Sequence, residues 1–221
     1  MKSRFATGAF ALALASTLVA GLAVAQAPQP GPQAAAAEPA QVSIPAAPVP
    51  AKSSAWLVMD HATGQVLAGE NIDARVEPAS ITKVMTAYVV AAEQAAGRVK
   101  ADDQVLMSER AWREGGARTD GSFSGFPVNQ TAPLRDMEKG MAVQSGNDAA
   151  IALAEHVAGS QEAFAELMNN YAAKIGMKNS HFVNAHGLSA PEHYSTAHDL
   201  ALLGSAFIRD FPEAYAFNSI K

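Results

Sequence analysis

No cysteine occurs anywhere in the chain. That excludes a disulfide scaffold and a thiolate metal site. Charge is sparse as well, at 17% of residues, and acidic side chains outnumber basic ones 21 to 16. The net charge of −5 leaves no electrostatic footprint for nucleic acid. Apolar residues are not lacking: at 49% they are too many for a wholly disordered chain. A length of 221 residues allows one large domain or two small ones. No internal repeat is visible.

The first fifty residues differ from the rest. Lys2 and Arg4 precede an apolar run from Phe5 to Ala25 that ends on Ala23-Val24-Ala25, a small-x-small cleavage pattern. A basic start, an apolar stretch and that ending predict a secretory signal peptide over residues 1–25. The run is also long enough to span a bilayer, so an uncleaved anchor is the alternative. Residues 26–52 hold seven of the 12 prolines and almost no charge. Such a segment buries too little surface to offset its ordering entropy and reads as an extended linker. Residues 53–221 are left to carry function. Their acidic balance reads as solvated surface.

Within that part, Ala55–Met59 and Gln65–Ala68 flank turn chemistry at Asp60–Gly64 and predict a β-hairpin. Short strands are expected near Gln104–Met107 and His181–Val183. The remainder reads as helical. Pro78 suits a first turn, and Ile81, Val84, Met85, Tyr88, Val89 and Ala92 recur at helical spacing before Gly97. Further helices are expected over Leu134–Val143 and Asp148–Val157. Another follows Ser160 up to Gly176, and one follows Thr196 up to Pro212. A Gly-rich connection from Glu114 to Gln130 is long enough to be functional. A lone hairpin is marginal in water. The chain also stops after Tyr215 and Phe217 with no terminal helix expected, so further strands are expected beyond Lys221.

Two patterns can carry chemistry. Ser80-Ile81-Thr82-Lys83 places a hydroxyl and an amine at i and i+3, on one helical face. The helix that follows is apolar nearly all round, hence central, and burial there lowers a lysine's pKa. A neutral amine beside a serine is a general base, and the serine an activated nucleophile. On spacing alone the plainer reading, a capping serine and a snorkelling lysine, is preferred. Ser145-Gly146-Asn147 lies between two helical stretches, where a hydroxyl could relay a proton and an amide could bind a peptide. Alone, it too reads more simply as an interhelical turn. His181, His186, His193 and His198 cluster in sequence. They show no H-E-x-x-H and no i, i+4 pair, so no metal is expected and His186 is read as ordering its loop.

Jointly, S-x-x-K at a buried helix start and S-x-N 65 residues later form a recognised pairing. The stretches Glu77-Pro78-Ala79-Ser80-Ile81-Thr82-Lys83, Gln144-Ser145-Gly146-Asn147-Asp148-Ala149, His186-Gly187-Leu188 and Tyr194–Asp199 carry the resemblance. The chain resembles the low-molecular-weight penicillin-binding proteins, the serine-type D-alanyl-D-alanine carboxypeptidases. The resemblance implies an α+β, β-lactamase/transpeptidase-like fold, a helical lobe packed on an antiparallel sheet. It implies attack by Ser80 on the D-Ala-D-Ala bond of a peptidoglycan stem pentapeptide, with Lys83 taking the proton. Ser145 would assist the leaving D-alanine and Asn147 would position substrate. It also implies covalent inhibition by β-lactams, no cofactor, and export to the periplasm.

The third family motif, of Lys-Thr-Gly type, is absent. After Asn147 the lysines are Lys174, Lys178 and Lys221, followed by Ile175, Asn179 and the chain end. Residues 53–221 are therefore expected to be an incomplete domain whose C-terminal strands, and any membrane-associating segment, lie beyond Lys221. Two alternatives stay open: a serine β-lactamase, with Glu162 or Glu166 as its deacylating base, and a non-catalytic peptidoglycan- or penicillin-binding fragment.

Overall fold

A helix that is apolar on every side has to sit in the middle, and the stretch after Ser80 does. The computed structural model describes residues 52–117, 119 and 121–220. The expected signal peptide, and the linker apart from Lys52, lie outside the described residues. Helix order and sheet pairing follow from there.

Strands β1 (Trp56–Met59) and β2 (Val66–Glu70) form the expected hairpin, antiparallel with Trp56 opposite Glu70. Its turn is held by Asp60, whose Oδ1 accepts from Thr63 N at 2.7 Å while its carbonyl accepts from Gly64 N at 2.8 Å. A 3₁₀ turn over Ala79–Ile81 leads into α1 (Thr82–Ala95). From Thr82 to Glu93 only Val84 and Ala87 keep appreciable exposure. Strand β3 (Gln104–Leu106) pairs antiparallel with β4 (Thr131–Pro133), and α2 (Glu109–Trp112) and a π turn over Arg113–Ala117 lie between them. The long helices are α3 (Leu134–Gln144), α4 (Asn147–Ala158), α5 (Gln161–Ile175) and α6 (Ala197–Asp210). A short α7 (Pro212–Tyr215) and a 3₁₀ turn over Ala216–Ser219 follow.

Local chemistry sets the boundaries. Ser160 Oγ accepts from Ala163 N at 3.1 Å, and Thr196 Oγ1 accepts from Asp199 N at 3.0 Å, each satisfying one orphan donor of a first turn. Gly159 and Gly176 stop α4 and α5 with positive φ.

Helices α3, α4, α5 and α6 all pack on α1. Residues Ala149–Ala154 of α4 are fully buried, and four of the six are alanine, so neighbouring helices approach closely. Met85, Val89, Ile151, Leu153, Phe164, Met168, Phe182, Leu203 and Phe207 fill the core. Tyr88 joins its edge to Tyr171, Phe207 and Phe211 at ring separations of 6.0, 6.3 and 5.0 Å. Its hydroxyl donates to Asp210 at 2.9 Å, which resolves the polar end of an otherwise apolar side chain.

The α+β fold and the five long helices match expectation. Three details differ. The segment His181–Val183 forms a single bridge to Tyr194, because only His181 exchanges backbone bonds there. Strand β4 was not foreseen, being three residues long and ending in a proline. The chain after Pro212 is helical rather than irregular. Pro212 presets the first-turn geometry, and the Tyr215 ring packs edge-on to Phe207 at 5.8 Å. The described strands form two separate two-stranded sheets, and β1 rests on α6. Val58, Val66 and Leu67 of the hairpin stay exposed.

Phe164 is fully buried among these helices. Truncating it to alanine is expected to cost about 3–5 kcal/mol of unfolding free energy. Urea denaturation of Phe164→Ala beside wild type measures this, and a loss under 1 kcal/mol would contradict the core described.

Candidate active site

The site is built on two places where the backbone is strained. Ala79 adopts φ +47°, and Ser145, which caps α3, adopts φ +54°. Left-handed backbone in a residue with a β-carbon costs about 1–2 kcal/mol and points to a constraint imposed from outside. At Ala79 the constraint is Gly187, on which a β-carbon would stand 1.9 Å from the Ala79 carbonyl oxygen. Gly187 itself has φ +91°, so both space and conformation require glycine. The contact locks the Ala79–Ile81 turn, and with it Ser80, against the loop Asn184–Leu188.

Ser80 is exposed and Lys83, one turn on, is buried. Lys83 Nζ lies 3.2 Å from Ser80 Oγ and donates to the His186 carbonyl at 2.7 Å. Burial lowers the amine from its usual 10.5 to about 8, and the nearby Asp148 carboxylate opposes that only in part. With one N–H held by His186 O, the deprotonated amine turns its lone pair toward the Ser80 hydroxyl.

The carbonyl that holds Lys83 is itself fixed. Asn184 Oδ1 accepts from His186 N and Gly187 N at 3.2 and 2.7 Å, and Thr86 Oγ1 donates to the Ala185 carbonyl at 2.7 Å. His186 Nδ1 accepts from Leu188 N at 3.1 Å, which leaves the proton on Nε2. Burial, and then the Lys83 charge, hold that imidazole down to about 4, so it stays neutral. His193 is likewise held low by burial; its Nδ1 accepts from Val183 N, so Nε2 donates to Thr82 Oγ1 at 2.9 Å.

Ser145 lines the same cleft as Ser80 and Lys83. Asn147, the first residue of α4, does not line it. Asn147 is 3% exposed, its backbone N–H donates to Ser122 O at 2.9 Å, and its side-chain amide stands against Gly121. The adjacent Asp148 accepts from Ser124 N at 2.8 Å and Ser124 Oγ at 2.5 Å. The Gly-rich connection is therefore latched onto the start of α4. Among the described residues no three His, Asp or Glu side chains converge as a metal site needs, and the four histidines point to separate partners.

Sequence reading brought Ser80, Lys83 and Ser145 to one cleft. It missed the Ser124–Asp148 latch, the His186 carbonyl, and Glu138, which is 4% exposed and lines the cleft. For Glu138 a signal was present. Leu134, Met137 and Met141 form the buried stripe of α3, and Glu138 falls on it.

A serine–lysine pair heading a buried central helix, with a second serine across a cleft, on this α+β frame, defines the penicillin-binding, transpeptidase-like class. Solved structures agree. D-alanyl-D-alanine carboxypeptidase DacD from Francisella tularensis superposes with a TM-score of 0.73 at 44% identity, over 79% of this chain and 41% of that one. Penicillin binding protein 5 from Haemophilus influenzae gives 0.75 at 39% identity, over 80% of this chain and 51% of that one. The chain belongs to the D-alanyl-D-alanine carboxypeptidase family Peptidase_S11, whose model matches residues 41–221. It is 49% identical over 169 residues to D-alanyl-D-alanine carboxypeptidase DacC of Escherichia coli K12, covering 76% of this chain and 42% of that protein. DacA of the same organism is 42% identical over 165 residues. The chain thus spans about two fifths of the length of these curated relatives.

The amine of Lys83 is expected to titrate near pH 8. Reductive ¹³C-methylation followed by NMR titration reads it directly, with Lys83→Ala assigning the resonance. A midpoint above 10 would contradict a desolvated base.

Proposed function

We propose that the protein removes the terminal D-alanine from peptidoglycan stem pentapeptides through an acyl-enzyme on Ser80. The single observation that supports this most is the exposed Ser80 hydroxyl 3.2 Å from a buried amine brought down to about 8. Near neutral pH a useful fraction of that amine is unprotonated, where a general base works best. Lys83 takes the Ser80 proton as the oxygen attacks the penultimate D-alanine carbonyl. Ser145 relays a proton to the departing D-alanine amine. Asn147, which stands behind Gly121 and off the cleft wall, would position substrate through that loop. Water then cleaves the ester and restores Ser80. The Ser80 backbone N–H, at a helix start, is one oxyanion donor. No step calls on a metal or an organic cofactor.

The same nucleophile would react with the strained amide of a β-lactam, making such compounds covalent inhibitors. Residues 1–25 as a signal peptide fit export to the periplasm, where the substrate resides. Among the described residues no helix is long and apolar enough to cross a membrane. The β-lactamase alternative asks for a glutamate able to drive deacylation. Glu162 is exposed and engaged with Arg110 at 2.6 Å, which holds it down to about 2, and neither Glu162 nor Glu166 lines the Ser80 cleft.

Intact-mass spectrometry is expected to show one penicillin adduct on the wild-type protein and none on Ser80→Ala. An adduct on the variant would remove Ser80 as nucleophile. Slow penicillin turnover with D-alanine release from a pentapeptide is expected; fast turnover without release would favour the β-lactamase.

A further inference from the structure

The Ser80 cleft is longer than the catalytic pair needs. It runs from Ser80, Lys83 and Ser145 between Val84 and Ala87 of α1 and Met141 and Ala142 of α3, and ends at Glu138. Ala214, Phe217 and Asn218 cover it. Beyond Glu138 it opens into a wider groove bordered by Gln94, Arg135, Asp210 and Glu213. Glu138 lines both spaces.

Glu138 is 4% exposed, yet among the described residues it has one hydrogen-bond partner, Gln94 Nε2, which donates to Oε1 at 3.1 Å. No described side-chain oxygen is both fully enclosed and without a partner, so Oε2 keeps some accessible surface, and the spaces Glu138 borders are the cleft and the groove. The charged neighbours are committed elsewhere. Arg135 pairs with Asp102, and Asp210 with Arg209 and the Tyr88 hydroxyl. Lys83, from α1, is held by Ser80 and His186. Glu213 adds a second carboxylate to the far groove. A carboxylate so placed lacks the counter-charge that buried acids ordinarily have. Lys83 bonds Ser80 and His186 while Glu138 bonds Gln94, so Glu138 is not the hydrogen-bond partner of that amine.

Resting on the reading of this cleft as a peptide site, we propose that Glu138 is a specificity-determining residue that accepts a cationic N–H donor of the substrate. The donor is the side-chain ammonium of a peptide ending in D-Ala-D-Ala. Reach supports this. Glu138 lies seven residues before Ser145 on α3, about 10 Å along the axis. Back from the attacked carbonyl, the penultimate D-alanine spans about 3.5 Å when extended, and a lysine-length side chain covers most of the remainder. The ammonium therefore belongs to the residue just before the two D-alanines.

Burial raises the Glu138 carboxyl to about 7. The side chain is neutral below that pH and anionic above it, so preference for a cation grows as pH rises from 6 to 8. A lysine ammonium stays charged throughout.

The test compares binding of Nα-acetyl-Lys-D-Ala-D-Ala with its Nε-acetylated counterpart, by calorimetry on the full chain. The free-ammonium peptide is expected to bind about tenfold tighter at pH 8, with the ratio shrinking at pH 6. In Glu138→Gln the ratio is expected to fall to about one at both pH values, and Glu138→Asp to restore part of it. A ratio near one in wild type at pH 8, or one unchanged in Glu138→Gln, overturns the proposal. Should Glu138→Gln fail to fold, the pH dependence of the wild-type ratio decides. Penicillin labelling of Ser80 without ammonium preference sinks the Glu138 role alone. Ammonium preference without labelling sinks the acyl-enzyme reading alone.

Discussion

The burial of one amine governs most of this structure. Lys83 is 6% exposed on a helix with almost no polar surface, and a charged ammonium there is poorly solvated. A shift from 10.5 to about 8 corresponds to roughly 3 kcal/mol of penalty on the cation. The neighbours are arranged to hold the amine without restoring its charge. A backbone carbonyl, His186 O, accepts one N–H, while the carboxylate that acts on the amine's charge, Asp148, bonds Ser124 instead. Had Asp148 bonded Lys83 directly, the pair would be ionised and no base would remain. The path from sequence to chemistry therefore runs through packing. The apolar residues of α1 place the helix centrally, central placement dries the lysine, and dryness makes it a base.

The same logic explains why the loops around the site are so constrained. The His186 carbonyl is useful only at one place, and Asn184, Thr86 and the Gly187–Ala79 contact define it. That contact also forces Ala79 into left-handed backbone, which turns the Ser80 hydroxyl outward beside an otherwise buried helix. Ser145 is presented in the same way, at a left-handed junction between α3 and α4. Ser145 thus sits on strained backbone and Ser80 directly follows it, both at helix ends, while the amine sits on relaxed helix. Rigid helices set the positions, and strained junctions set the directions.

Much of this was legible in the sequence, for a physical reason. Periodicity reports burial, and α1, α5 and α6 bury a stripe or more, so their spans and caps could be read from Pro78, Ser160, Gly176 and Thr196. The Ser80–Lys83 pair was legible because i, i+3 spacing on a helix fixes proximity. What escaped was non-local. Strand β4 exists only because β3 lies across from it, and the Ser124–Asp148 latch joins residues far apart in sequence. Nothing in Asn147 itself reveals that it stands behind Gly121 rather than on the cleft wall. Glu138 lies between these cases. Its place on an apolar stripe was readable, but the groove it faces is made by α1 and the turns after Pro212.

Desolvation acts on both buried ionisable groups of the cleft, and it acts in opposite senses. It lowers Lys83 to about 8 and raises Glu138 to about 7. Below both values the amine is protonated and the carboxyl neutral, so the cleft carries a positive charge at its Lys83 end. Above both, the amine is neutral and the carboxylate ionised, so the cleft carries a negative charge at its far end. Its polarity therefore inverts over a narrow interval around neutrality, with no movement of the backbone. In water the two groups would titrate six units apart and both be charged between. Burial compresses that interval, so neutralising the amine and ionising the carboxyl occur over nearly the same range of pH. One cause, the exclusion of water by α1 and α3, thus sets the charge at both ends of the cleft, at Lys83 and at Glu138.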